Sequence, residues 1–140
     1  MTVQIKVLSP EEWYRYAEEA HKLVFNHHRD PWIDRINFAW VTYDEVGAIG
    51  FVTCREFDCH TLYWQHGGAL QERRGVAAIK SFEAILNKAR DKYRRVTTLV
   101  ENDNVNYLHL IMKYGFRVIG LRVFEGKILL ELTMEFKSAV

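Results

Sequence analysis

The stretch Gly67-Gly68-Ala69-Leu70-Gln71-Glu72-Arg73-Arg74-Gly75-Val76-Ala77 decides how this chain is read. Before it, Thr61 to His66 has the aromatic and β-branched composition of a strand. After it, Ile79, Phe82, Ile85, Leu86, Ala89 and Tyr93 recur at three and four, the period of a helix with one buried face. A loop entering a helix presents the first amides, which have no intrahelical partner, at the positive end of the dipole. Gly75 has no Cβ to keep a phosphate away from that backbone. Gly67-Gly68, at the end of the strand, suits close approach by a ligand chain. Arg73 and Arg74 read as mobile positive charge in the same place. They also oppose the helix dipole by roughly a few tenths of a kcal/mol each, a conflict that a bound anion removes. The plain alternative is turn chemistry at a helix start.

Working outward, Thr2 to Leu8 alternates as an edge-type strand, and Ser9-Pro10-Glu11-Glu12 predicts a helix opened by a capping box. Its buried stripe is Trp13, Tyr16, Ala17, Ala20, Leu23 and Val24. The segment from Asn26 to Arg35 breaks it, with room for a short second helix after Pro31. Phe38 to Tyr43 and Ala48 to Phe57 form a hairpin around Asp44-Glu45-Val46-Gly47, and the strand from Thr61 follows the turn Asp58-Cys59-His60. Beyond the long helix, Val96 to Val100 is a strand. Asn102-Asp103-Asn104 caps a helix that ends at Gly115, and Arg117 to Phe124 and Ile128 to Phe136 close the chain as a hairpin. The order β-α-(α)-β-β-β-α-β-α-β-β implies a mixed sheet with helices on both faces.

The 140 residues suit one domain, and 49% apolar composition suffices for a core. A net charge of +1 excludes a field that would draw the chain to nucleic acid or an anionic membrane, so an anion must be held locally. The doublets Arg73-Arg74 and Arg94-Arg95 do not make a basic face. No window approaches eighteen apolar residues. Cys54 and Cys59 form neither a Cys-x-x-Cys pair nor a framework. They read as free thiols in a reducing compartment, and the expected location is cytoplasmic.

Two motifs carry a resemblance. Gly75-Val76-Ala77 fits the second half of the glycine loop Gln/Arg-x-x-Gly-x-Gly/Ala of the GCN5-related N-acetyltransferase (GNAT) superfamily, although Glu72 stands at the Gln/Arg position. Asn104, followed eleven residues later by Gly115-Phe116 with Lys113-Tyr114 before it, resembles the family's Asn…Lys-Leu-Gly-Phe helix. The element order is similar over essentially the whole chain. The resemblance implies an α/β (α+β mixed) acyl-CoA N-acyltransferase fold, with a mixed, mostly antiparallel sheet of about seven strands. It implies a splay between the fourth and fifth strands that takes the pantetheine of acetyl-CoA, with the pyrophosphate on the amides of Arg73 to Ala77. The coenzyme-binding set is then Gly67, Ala69, Arg73, Arg74, Gly75, Val76, Ala77 and Asn104, and the activity is direct acetyl transfer to an amine of unknown identity.

Acetyl transfer from a thioester needs a base for the amine, support for the oxyanion and a proton for the thiolate. Glu101 is a candidate base or a solvated, capping carboxylate. His66 is a base acting through water or an interior hydrogen-bonded side chain. Amides near Gly67 to Ala69 would polarise the carbonyl. Tyr114 is the candidate proton donor, against packing on Phe116. Ile111 stands where many members place a tyrosine acid, and Tyr107 fills a position that is often small. These departures support an alternative: an inactive module of the same fold, for example a phage structural or assembly protein, with a protein partner. A homodimer is left open. Trp13, Tyr14, Tyr16, Trp32 and Trp40 would wall the acceptor site. No metal is expected, because His27-His28, His60 and His66 lack ligand spacing. Cys54 lacks a basic partner for nucleophilic work.

Overall fold

The computed structural model describes residues 2–16 and 36–136. Ser9 opens the first helix, α1, whose described part is 10–16. The capping box forms as the sequence predicts: the Glu12 amide donates to Ser9 Oγ (3.2 Å) and the Ser9 amide to Glu12 Oε1 (3.1 Å). Ala17, Ala20, Leu23, Val24, the break from Asn26 to Arg35, and the helix after Pro31 lie outside the described residues.

Seven strands form one sheet: β1 (Gln4–Leu8), β2 (Phe38–Tyr43), β3 (Ala48–Glu56), β4 (Thr61–Ala69), β5 (Arg95–Glu101), β6 (Arg117–Phe124) and β7 (Lys127–Glu135). Their order is β1-β2-β3-β4-β5-β7-β6. Every pairing is antiparallel except β4 with β5. That one parallel pair requires a crossover, which α2 (Val76–Lys92) supplies, and α3 (Val105–Lys113) connects β5 to the last hairpin. The fourth strand runs three residues past its predicted end, so Gly67, Gly68 and Ala69 are strand rather than loop.

The alternation of side chains sorts the core onto two faces. Trp40, Val52, Leu62, Trp64, Val96 and Val100 pack with Ile85, Leu86 and Ala89 of α2 and Leu108 and Ile111 of α3. On the other face Ala39, Val41 and Phe51 meet Trp13 of α1. Burying each such large side chain contributes about 1.5–3 kcal/mol. α3 ends as its glycine predicts: Gly115 has φ +112°, its amide donates to Met112 O, and Phe116 N donates to Ile111 O, both at 3.1 Å. The β6–β7 hairpin turns over Glu125 (φ 50°) and Gly126 (φ 76°), the left-handed pair of a tight two-residue turn.

Candidate functional site

β4 and β5 pair only over Thr61↔Arg95, Leu62↔Val96, Tyr63↔Thr97 and Trp64↔Thr98. At the last pair Thr98 Oγ1 donates to the Trp64 carbonyl (3.0 Å). Beyond it Leu99, Val100 and Glu101 pair with β7 alone, while β4 continues along β3. Thr53 pairs with His66 and Cys54 with Trp64, so Gln65 is the extra residue of a bulge, which turns β4 where it leaves β5. From Gln65 to Ala69, alternate main-chain groups of β4 therefore point at an edge with no strand among the described residues. This is the splay that the resemblance implies.

The glycine loop closes the open end of that splay. Leu70 is buried and its amide donates to Ile49 O (2.7 Å), which ties the loop to β3. Gln71–Arg73 form one 3-10 turn, with Arg73 N bonded to Leu70 O (2.9 Å) and Arg74 N to Gln71 O (3.5 Å). Gly75 follows with φ +106°, where a side chain would be strained but an ideal Cβ meets nothing within 4 Å. Ile79 N donates to the carbonyl of the N-cap Gly75 (3.1 Å), which leaves the amides of Val76, Ala77 and Ala78 as the outward set. No first-turn residue of α2 is acidic, and Val76 is 68% exposed. The amides free to meet an anion thus start at Val76, beyond Arg73, because the amides of Arg73 and Arg74 close the 3-10 turn.

Arg73 is not the mobile charge that the sequence suggests. The Arg73 guanidinium is held: Nη1 donates to the carbonyls of Gly47 and Ala48 (3.2 Å each), and Nη2 pairs with Asp44 Oδ2. Asp44 Oδ1 in turn accepts from the amides of Val46 (2.9 Å) and Gly47 (3.3 Å). The Asp44 side chain is fully covered, and the Arg73 bond, more than the two amides, holds its carboxyl below the usual range. In the sequence Asp44 is only a turn residue, and nothing local to it marks its partner 29 positions away.

Gly67 also has a second explanation. A Cβ there would lie 2.8 Å from Phe51 O, and one on Gly50 would lie 2.4 Å from Gly68 O. The glycines therefore let β3 and β4 approach each other, whatever the splay receives. Asn104 occupies the N-cap position of α3, yet makes no side-chain capping bond, so its carboxamide is not used by the helix. Gly67, Ala69, Gly75, Val76, Ala77 and Asn104 thus gather at one end of the sheet, since α2 and α3 both start where β4 and β5 finish.

The candidate catalytic residues are placed less closely. His66 lies on β4 just past the last β5 pair, and its carbonyl accepts from Thr53 Oγ1 (3.2 Å). Glu101 ends β5, but its carboxylate pairs with Lys127 Nζ across to β7 (3.2 Å), with the side chains 44% and 65% exposed. Tyr114 packs its ring on Phe82 (centroids 5.1 Å) and lies against the core cluster that holds Phe116. Burial and then the Glu83 carboxylate, which accepts its hydroxyl, push that phenol up. The nine residues of α3 separate Tyr114 from Asn104, and the ten steps of rise at ~1.5 Å each make about 15 Å of axis. Ile111 is fully buried in the core. Trp13 and Trp40 are core on opposite faces, at 1% and 2% exposure, and are not acceptor walls. Tyr14 is exposed, while Trp32 and His27-His28 lie outside the described residues. Cys54 and Cys59 are free, and burial pushes the Cys54 thiol well up, away from nucleophilic use. Among the described residues no three His, Cys, Asp or Glu side chains gather as a metal site would need.

No protein-family profile and no curated protein sequence matches the chain. Solved structures do. A GNAT family acetyltransferase from Elizabethkingia anophelis, solved with acetyl-CoA bound, aligns with a TM-score of 0.77 at 18% identity, over 96% of this chain and 98% of its own. Ard1 from Thermoplasma volcanium gives 0.76 at 13% identity, over 99% and 100%. The ribosomal-protein-S18-alanine N-acetyltransferase from Escherichia coli gives 0.79 at 8% identity, over 99% and 97%. With the splay, the crossover helix and the strand order all in place, the chain has the acyl-CoA N-acyltransferase fold of the GNAT acetyltransferases.

Proposed function

We propose that the chain is an acetyl-CoA-dependent N-acetyltransferase that transfers the acetyl group directly to an amine in the cytoplasm. The observation that carries this reading is the edge of β4 beyond Trp64, which no strand among the described residues covers, ending on the start of α2, which has no side-chain cap and no acidic residue. An extended pantetheine arm can hydrogen-bond that edge as a strand would, and a pyrophosphate suits the amides of Val76, Ala77 and Ala78. The structural relative from Elizabethkingia anophelis was solved with acetyl-CoA, which supports the same ligand here.

The co-substrate supplies the thioester carbon on which the chemistry occurs. Transfer forms one C–N bond and breaks one C–S bond, while the nitrogen loses a proton and the sulfur gains one. In this reading main-chain amides of Gly67 to Ala69 orient the thioester carbonyl, and Asn104 holds the arm from the far side. His66 takes the amine proton, through water, because it alone of the candidates lies on the strand that leaves the splay. Glu101 is a second base, since an exposed pair with Lys127 is weak enough to exchange. Tyr114 fits the role of acid least, with its hydroxyl on Glu83.

Acetyl-CoA at millimolar concentration is expected to raise the melting temperature by several degrees, because it binds the native state alone. Gly75→Glu, which puts a strained side chain and a negative charge on the cradle, should lose that shift. A wild type whose melting point ignores the coenzyme removes the proposal. The buried Ile111 and the remote Tyr114 favour a second reading, an inactive module of the same fold. Its signature is coenzyme binding with no thiol release across a panel of amines.

A further inference from the structure

The network around Asp44 joins the β2–β3 turn to the glycine loop. Asp44 and Gly47 close the β2–β3 turn on themselves, with Asp44 N donating to Gly47 O (3.0 Å) and Gly47 N to Asp44 O (3.2 Å). Arg73 then reads three groups of that turn at once: the Asp44 carboxylate and the carbonyls of Gly47 and Ala48. Arg73 is also the last residue of the 3-10 turn, two positions before Gly75. The turn therefore has two anchors, the Leu70 amide on Ile49 and the Arg73 guanidinium on Asp44, and α2 begins immediately beyond them. The guanidinium side is 12% exposed and the carboxylate side fully covered, so the pair behaves as part of the interior.

We propose that Asp44 is the positioning residue of the anion cradle: by holding Arg73 on the β2–β3 turn, it fixes where the amides of Val76, Ala77 and Ala78 point. This deepens the coenzyme reading and rests on it for the identity of the anion. Asp44 touches no ligand and acts through Arg73. The latch also neutralises Arg73, so the site draws its anion with amides and the helix dipole, not with this side chain.

Charge and position predict opposite outcomes, which makes the proposal testable. Removing a carboxylate near an anion site tightens binding if charge alone matters. Removing it weakens binding if it positions the amides. Isothermal titration of Asp44→Asn with coenzyme A and with inorganic pyrophosphate, well below the melting temperature, is expected to show Kd raised about tenfold for both. At saturating acetyl-CoA, kcat should be nearly unchanged, so that the loss falls on KM. Unchanged or tighter binding overturns the proposal, as does a lower melting temperature with both Kd values intact. Because an unpaired buried guanidinium can unfold the site, Arg73→Lys is the second variant. It keeps the charge, loses the fork that reaches the two carbonyls, and should weaken both ligands by several-fold. Wild-type binding of pyrophosphate without coenzyme A overturns the coenzyme reading only, and the Asp44 comparison is then decided on pyrophosphate. A wild type that binds neither overturns both.

Discussion

Tyr107 shows how much a single environment decides. It lies in the first turn of α3, edge-on to Phe82 (centroids 6.5 Å, interplanar angle 88°), and burial pushes its phenol up to about 12. The neutral form is thus the one the fold favours. A group whose folded value is raised gives its full stability below the unfolded value, near 10, and loses it as pH climbs towards 12. Tyrosinate absorbance should therefore show a limb above pH 11 that Tyr107→Phe diminishes. The phenols of Tyr93, Tyr63 and Tyr114, each raised by burial first, also titrate late and share that limb, so the variant diminishes it without removing it. An unaltered late limb in Tyr107→Phe means the hydroxyl is in water after all. At working pH this hydroxyl stays neutral beside the cradle end of α3. Such features were not legible in the sequence, since they arise between residues far apart in the chain. Gly75 and Asn104 could be found from motifs. Asp44 and the reciprocal pair Gly50 and Gly67 could not, because their reasons are contacts with Arg73 and with each other's strands.

Among elements, those whose causes are local were readable. The Ser9–Glu12 box, the Gly115 helix end and the Glu125-Gly126 turn each sit within a few residues of their own signal. The extension of β4 to Ala69 was missed because Gly67-Gly68 reads as a strand end, and only β3 makes it strand. Likewise the expected side-chain cap at Asn104 is not made, although the helix starts at the predicted place. The splay came from resemblance, and no local pattern states where β4 and β5 part. The structure puts that point at Trp64↔Thr98, closed by the buried Thr98 hydroxyl on the Trp64 carbonyl. Thr98→Val keeps the shape and removes this bond, at a cost of about 0.5–1.5 kcal/mol in urea unfolding. If the seam ends there for this reason, the amides next to the bulge at Gln65 should exchange faster in the variant. Equal exchange rates would mean that the bulge alone sets the end of the seam.

At the scale of the molecule, the sheet is two antiparallel blocks, β1–β4 and β5–β7, joined by one parallel seam of four pairs. β5 makes seven pairs with β7, so the seam is the weaker join on that strand. α2 spans it by packing Ile85, Leu86 and Ala89 against residues of both blocks. The candidate site lies where the seam opens, with β4 and the first turn of α2 on one side and β5 and Asn104 on the other. A coenzyme held from both sides acts as an additional join between the blocks, and its binding free energy appears as protection of that region. Acetyl-CoA should therefore slow amide exchange from 65 to 69 and from 75 to 79, and at 104 to 106. The outer hairpin, β6 and the far half of β7, makes no part of the join and should exchange at its unliganded rate. Protection confined to the first turn of α2 would describe an anion on a helix start, with no chain in the splay. Protection on both sides of the seam requires a ligand long enough to reach from the cradle to Asn104, which is the length of arm that direct acetyl transfer needs.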